Sequence, residues 1–176
     1  MDNLTEKFLE SEKVFDGRLL KVYCDKVQLP NGGESFRELV RHPGAVAIVP
    51  VLNDGRIVFV RQYRYAVGQA MLEIPAGKLD IKGESPDACA LRELQEETGY
   101  IAKNIRRLAS VSTSPGFTNE VIHIYIADDL IADKQCPDED EFINVEIYTK
   151  EQVKAMLADG TIHDAKTMIG LLLAGV

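Results

Sequence analysis

Apolar positions along the chain switch between near-continuous runs, alternation and helical spacing, and each mode predicts an element. From Leu19 to Arg41, LLKVYCDKVQL, then PNGG, then ESFRELVR predict two strands joined by a turn, since Pro, Asn and two glycines supply turn geometry. AVAIVPVL (Ala45 to Leu52), the turn Asn53-Asp54-Gly55 and RIVFVRQYR (Arg56 to Arg64) predict a second hairpin, apolar enough for a buried sheet, with Arg61 and Arg64 near its end. MLEIP is a short strand running into Ala76-Gly77. Ser85 followed by Pro86 is an N-cap and a first-turn proline, so a helix is expected from Pro86 to Thr98, stopped by Gly99.

RLASVS, VIHIYIA and FINVEIYT predict further strands, with Thr113 to Glu120 and Asp128 to Glu141 as loops. Thr149-Lys150-Glu151-Gln152 is a capping-box pattern opening a helix to about Ala158, and Ala165 to Ala174 predicts a last helix with an apolar face. Strands and helices mix without regular βαβ alternation. The expected class is therefore α/β in the α+β sense, a mixed sheet covered by helices on both faces.

The chain has 176 residues, suited to one domain of ordinary size, and 45% of them are hydrophobic, as in a globular protein. A net charge of -8 argues against generic attachment to nucleic acid or anionic lipid, which favour a basic face. Cys24, Cys89 and Cys136 are widely spaced and include no C-x-x-C pair, so they read as reduced thiols rather than a zinc site or disulfide framework. The N-terminus lacks an apolar signal-like core, and MIGLLLAGV is too short to span a bilayer, so the expected place is the cytoplasm, away from membranes.

Charge is concentrated in the first helix, where Glu93, Glu96 and Glu97 fall within five residues beside Arg92. Glu93 shares a face with Glu96 and Glu97, while Ala88, Leu91 and Leu94 are expected to mark a separate stripe facing the core. Two carboxylates ~5 Å apart repel by roughly 3 kcal/mol at an effective dielectric near 20. Arg92 relieves part of that repulsion, and a divalent cation that prefers oxygen ligands would relieve the rest; a solvated acidic face is the alternative reading of three glutamates taken alone.

Gly77, Glu84 and Arg92-Glu93-Leu94-Gln95-Glu96-Glu97-Thr98-Gly99-Tyr100 together resemble the signature box of the Nudix hydrolases, G-x5-E-x7-R-E-U-x-E-E-x-G-U with U an apolar residue. One departure stands out: six residues, KLDIKG, separate Gly77 from Glu84 where the pattern has five. The extra residue should bulge the loop before the helix and leave the helix acids in register. The resemblance implies a Nudix-type α/β/α sandwich that cleaves a diphosphate joined to another group, using Mg²⁺, with Mn²⁺ as a substitute. It further implies Glu93, Glu96, Glu97 and the carbonyl of Ala76 as metal ligands, and Arg92 pairing with Glu84 or a neighbouring acid.

Pro115, sixteen residues after Gly99 in SPGFTNE, is similar to the marker proline of the ADP-ribose pyrophosphatase branch, as are LEIPAGK, RHPGAVAIVP and VRQYR. That resemblance implies hydrolysis of ADP-ribose to AMP and ribose 5-phosphate. Glu120, with Glu96, would serve the water or the metal, Arg61 and Arg64 the diphosphate or terminal ribose, and Glu73 a ribose hydroxyl. Phe8, Phe15 or Tyr23 could stack on adenine, whereas His42, His123 and His163 show no ligand spacing. Another nucleoside diphosphate sugar, or a non-catalytic ADP-ribose sensor, are the alternatives. The branch also implies two parts, residues 1–42 as a β-hairpin extension that pairs two subunits into a homodimer and residues 43–176 as the catalytic domain.

Overall fold

The computed structural model describes residues 4–137 and 141–176, which contain ten strands, one 3-10 turn and three helices. They fall into two compact units, one comprising the chain up to residue 44 with residues 112–121, the other residues 45–111 and 122–176.

The first unit is a three-stranded antiparallel sheet in the order β1 (Lys7–Asp16), β2 (Lys21–Gln28), β3 (Glu34–Val40). The predicted β2–β3 hairpin is present. β1 adds a strand that the hydrophobic pattern does not reveal: every position of KFLESEKVFD is exposed, so burial imposes no alternation on its sequence. Residues 112–121 join this unit through Val40, whose N–H donates to the Phe117 carbonyl at 2.8 Å.

In the second unit β4 (Ala45–Pro50) is buried along its whole length. Its side chains alternate between two cores. Ala45, Ala47 and Val49 pack with Val153, Ile162 and Leu171, whereas Val46 and Ile48 pack with Cys89, Ala90 and Leu94. A strand covered on both faces must be apolar at every position, hence the unbroken run AVAIVP. α1 (Pro86–Thr98) covers one side, and the other core draws on α2 (Lys150–Ala158) and α3 (Ala165–Leu173). This is the predicted mixed α/β architecture.

The expected hairpin across Asn53-Asp54-Gly55 opens into two sheets. β4 sits in the sheet β7-β4-β9-β8, parallel to β9 (Val121–Ala132) and antiparallel to β7 (Ala76–Lys78), with β8 (Tyr100–Ser112) at the edge. β5 (Ile57–Arg64) belongs instead to β10-β5-β6, between β10 (Ile143–Tyr148) and β6 (Gln69–Glu73). Among the described residues the two arms share one isolated bridge, Val51–Ile57, in place of a ladder. Both sheets feed both cores, so hydrophobicity alone could not reveal which strand pairs with which.

Helix boundaries follow the caps. The Ser85 hydroxyl accepts from the Ala88 N–H at 3.2 Å, Pro86 occupies the first turn, and Gly99 closes α1 at φ 71°. Only a glycine fits there without strain, and an added Cβ would lie 2.9 Å from the Asp133 carbonyl oxygen. Thr149 and Gln152 form the capping box of α2. β9 outruns its predicted end by crossing Asp128-Asp129, because Asn104 and Lys103 on β8 bind those acids and Leu130 is buried. Of the loop expected up to Glu141, residues 138–140 lie outside the described residues.

Gly170 on α3 lies close against the sheet: a Cβ there would stand 3.0 Å from both Ile74 Cδ1 and Val49 Cγ2. Gly170→Leu should therefore cost roughly 1–3 kcal/mol by overpacking. In urea unfolding this is expected as a lower midpoint at unchanged slope.

Candidate active site

α1 owes its orientation to its buried stripe. Ala90, Leu94 and Thr98, spaced by four, face the core with Cys89, while Ala88 and Leu91 are exposed, correcting the stripe expected from apolarity alone. Helical spacing places Glu97 on that same stripe, and only 3% of it is exposed. One of the three glutamates is thus part of the interior. Burial pushes its carboxyl up to about 8, against the Ala76 N–H, which donates to Glu97 Oε2 at 2.9 Å; Glu93 and Glu141 push the same way.

Glu93 packs beside it, directly over β7. An added Cβ on Gly77 would fall 1.9 Å from Glu93 Cδ, so the carboxylate occupies the space that any other residue at 77 would fill. Burial also raises Glu93, which Arg92 partly opposes. Arg92 binds three acids. Its Nε and Nη2 donate to the two oxygens of Glu84, each at 2.9 Å, and its Nη1 donates to Glu93 and Glu96, each at 2.8 Å. Glu96 is the most exposed of the set.

The extra residue between Gly77 and Glu84 is absorbed in a turn, where the Glu84 N–H donates to the Ile81 carbonyl at 3.1 Å. Glu84 still reaches Arg92 as a bidentate pair, 12% exposed at its side chain.

Arg64 stands on the same face of β5 as Val58, which packs in the α1 core, and Glu97 lies within its electrostatic reach. Its Nε and Nη2 donate to Glu73 at 2.7 and 2.8 Å. Glu73 is almost wholly buried on β6, and although burial raises its carboxyl, Arg64 and Lys166 together hold it down at about 2. Arg61, three residues from Arg64, points to the opposite face. There it forms a bidentate pair with Glu146 on β10 at 2.6 and 3.0 Å, beside Tyr148. The strand's alternation therefore separates two arginines that lie close in sequence.

Glu120 and Pro115 lie in the other unit. Glu120 accepts from the Thr113 hydroxyl at 2.7 Å and lies 3.4 Å from His42 Nδ1, and its loop is tied to His42 through Asn119. Among the described residues no lysine or arginine pairs with Glu120. Of the aromatic residues proposed for adenine, Phe8 and Phe15 are exposed, whereas the Tyr23 ring carries the Arg41 guanidinium 3.9 Å from its centroid. His123 bonds Ser110 and His163 bonds Gln69. The three cysteines are free thiols.

Sequence reasoning passed over Glu141, Glu146 and Lys166. Lys166 could have been suspected, because Asp164 is the N-cap of α3 and the lysine lies in its first turn; Glu141 sits in an acidic run that reads as a loop. Among the described residues no three acidic, histidine or cysteine side chains already converge on one point to ligate a metal. The donor chemistry nevertheless suits a hard divalent cation. Glu93 and Glu97 are carboxylates whose charge burial disfavours, Glu96 adjoins them, and every side-chain donor is oxygen.

Two family models match the chain: a NUDIX domain over residues 41–169 and a nucleoside diphosphate sugar hydrolase N-terminal domain over residues 6–40. An ADP-ribose pyrophosphatase of Bacillus subtilis (strain 168) is 44% identical over 95% of this chain and 91% of its own length. A methanol dehydrogenase activator of Bacillus methanolicus is 45% identical over 94% of this chain and 90% of its own. A crystal structure of an ADP compounds hydrolase superposes with a TM-score of 0.88 at 27% identity, covering 99% of this chain and 95% of that one.

Gly77→Ala should displace the Glu93 carboxylate without unfolding the chain. A misplacement near 1 Å at a reacting centre costs about 100-fold in rate, so diphosphatase turnover should fall on that order while far-UV circular dichroism stays unchanged.

Proposed function

We infer that this chain, which belongs to the Nudix hydrolase family, is a diphosphatase that hydrolyses ADP-ribose to AMP and ribose 5-phosphate. The similarity to an ADP-ribose pyrophosphatase along nearly the whole chain carries the choice of substrate. The acid cluster on α1 supports the chemistry. In this reading residues 43–176 form the catalytic domain, and Glu93, Glu96, Glu97 and the carbonyl of Ala76 hold Mg²⁺, or Mn²⁺ in its place. When bound, such an ion polarises phosphoryl oxygens and lowers the pKa of a bound water.

The chain's own residues do the rest. Arg92 restrains Glu84, Glu93 and Glu96 so that like charges stay clustered before substrate arrives. Arg64 presents its remaining guanidinium edge to the diphosphate, for which a planar fork is suited. Glu120 takes a proton from the attacking water. The water oxygen bonds to one phosphorus, the bridging P–O bond breaks, and each phosphate leaves with one of the two products. Glu120 suits the role because its partners are a hydroxyl and an imidazole rather than a fixed cation.

Arg61 has a weaker claim than Arg64, since Glu146 already engages it on the opposite face of β5. Glu73, with both oxygens bound by Arg64 and Lys166, is assigned to the Arg64 anchor instead of a ribose hydroxyl. A second reading, another nucleoside diphosphate sugar as substrate, is favoured by the N-terminal match to a nucleoside diphosphate sugar hydrolase domain.

We assign residues 1–42 to homodimer formation. The sheet β1–β3 exposes Phe8, Phe15 and Phe36, and the β1–β2 turn exposes Leu20, apolar surface of the kind that marks an interface. The cytoplasm is the proposed compartment; no helix among the described residues is long and apolar enough to cross a membrane.

Chromatography of products from ADP-ribose and a panel of nucleotide sugars, with and without Mg²⁺, tests the reaction and the substrate together. AMP and ribose 5-phosphate should form fastest from ADP-ribose and cease on chelation, and Glu97→Gln should lower turnover by orders of magnitude at saturating Mg²⁺. Faster cleavage of another nucleotide sugar would replace the substrate and keep the chemistry.

Light scattering at micromolar concentration should give twice the 19.5 kDa chain mass, and Phe36→Glu should shift the population toward monomer. A monomeric wild type would remove the dimer assignment.

A further inference from the structure

The start of α3 carries a largely covered polar cluster whose part in the reaction is so far unassigned. Asp164, the N-cap, accepts from the Thr167 N–H at 3.0 Å and from the Thr167 hydroxyl at 2.6 Å. The same Thr167 hydroxyl oxygen accepts from the Ile74 N–H at 3.0 Å, so the helix start is fastened to the residue after Glu73. Lys166 lies between two acids: its ammonium donates to Glu73 Oε2 and sits 3.1 Å from Asp164. Glu73 in turn grips Arg64 through Nε and Nη2. Among the described residues Arg64 Nη1 has no hydrogen-bond partner, and the side chain is 39% exposed.

The charges balance in a telling way. Arg64 and Lys166 are two cations facing two anions, Glu73 and Asp164. Were Lys166 absent, the charge of buried Glu73 would fall on Arg64 alone and Asp164 would keep its bonds to Thr167 but lose its cation, leaving the cluster with a net negative charge. An arriving diphosphate would then meet repulsion at the arginine meant to bind it. Lys166 itself is largely covered, so its charge is spent inside the cluster.

We propose that Lys166 is a positioning residue for diphosphate binding: by neutralising Glu73 from below it leaves Arg64 fixed in place with its charge available to an anionic substrate. Glu73 is the shared acceptor, and Thr167 anchors the support to Ile74. This rests on the reading of Arg64 as a diphosphate ligand, while the device itself serves any diphosphate compound.

The test is a double-mutant cycle with Lys166→Met and Arg64→Met, and Lys166→Arg as the conservative control. Lys166→Met should raise KM for ADP-ribose about tenfold, the scale of losing one well-placed charge interaction, while kcat changes by less than about twofold. Lys166→Arg should restore KM. In the Arg64→Met background, Lys166→Met should have no further effect on KM, because its path runs through the missing arginine.

Calorimetry with inorganic pyrophosphate, without divalent metal, repeats the cycle on a probe independent of the sugar and of turnover, with unfolding midpoints recorded for each variant. Failure of the wild type to hydrolyse ADP-ribose would overturn the substrate assignment, and the pyrophosphate cycle would still decide the role of Lys166. Additive losses in the two single variants, an unchanged affinity in Lys166→Met, or a stably folded Lys166→Arg that fails to restore binding would each overturn the proposal.

Discussion

One guanidinium, that of Arg92, makes the acid cluster on α1 possible. Spacings of three and four residues bring Glu96 and Glu97 beside Glu93 on the helix, and burial of Glu97 and Glu93 removes the water that would screen them. Arg92 answers with a fork on Glu84 and a third nitrogen shared by Glu93 and Glu96. A lysine, with one point charge and no fixed fork, could not hold three acids in set directions. The cluster is thus assembled before any ligand arrives. Residual repulsion among its carboxylates favours a divalent cation.

The scaffold beneath that cluster follows from a strand buried on both sides. Because β4 sends alternate residues into two cores, helices must cover both, and α1 is held with its Ala90–Leu94–Thr98 stripe inward. That rotation carries Glu97 into the interior and brings Glu93 down on Gly77. Between β6 and β7 the chain changes sheets at Ile74-Pro75, placing buried Glu73 three residues before Ala76, whose N–H holds Glu97. One short stretch of backbone thus touches the arginine anchor, the start of α3 and the acid cluster.

Local chemistry made much of this legible in the chain. Ser85, Pro86 and Gly99 bounded α1 because caps and left-handed glycine act within one turn; Thr149 and Gln152 did the same for α2. The spacing of Arg92, Glu93, Glu96 and Glu97 likewise follows from helical geometry alone. Relationships that depend on distant partners were not legible. The arms flanking Asn53-Asp54-Gly55 look like a hairpin, yet their strands pair in different sheets. Apolarity suggested Leu91 as a core residue, whereas packing against β4 chose Cys89 and Ala90 and exposed Leu91.

By itself, then, the sequence determined most of the elements, the caps of α1 and α2 and the grouping of acids on one helix, since each rests on interactions spanning only a few residues. Tertiary structure decided which acid is buried, which arginine faces the acids and what supports it. Arg61 and Arg64 are equivalent as symbols, and only strand alternation within a paired sheet sends one to Glu146 and the other to Glu73. Lys166 lies ninety-three residues from Glu73 along the chain, and their meeting depends on α3 packing against the β6–β7 crossover. No local pattern encodes a contact at that distance, because the free energy that forms it comes from burying the surfaces in between.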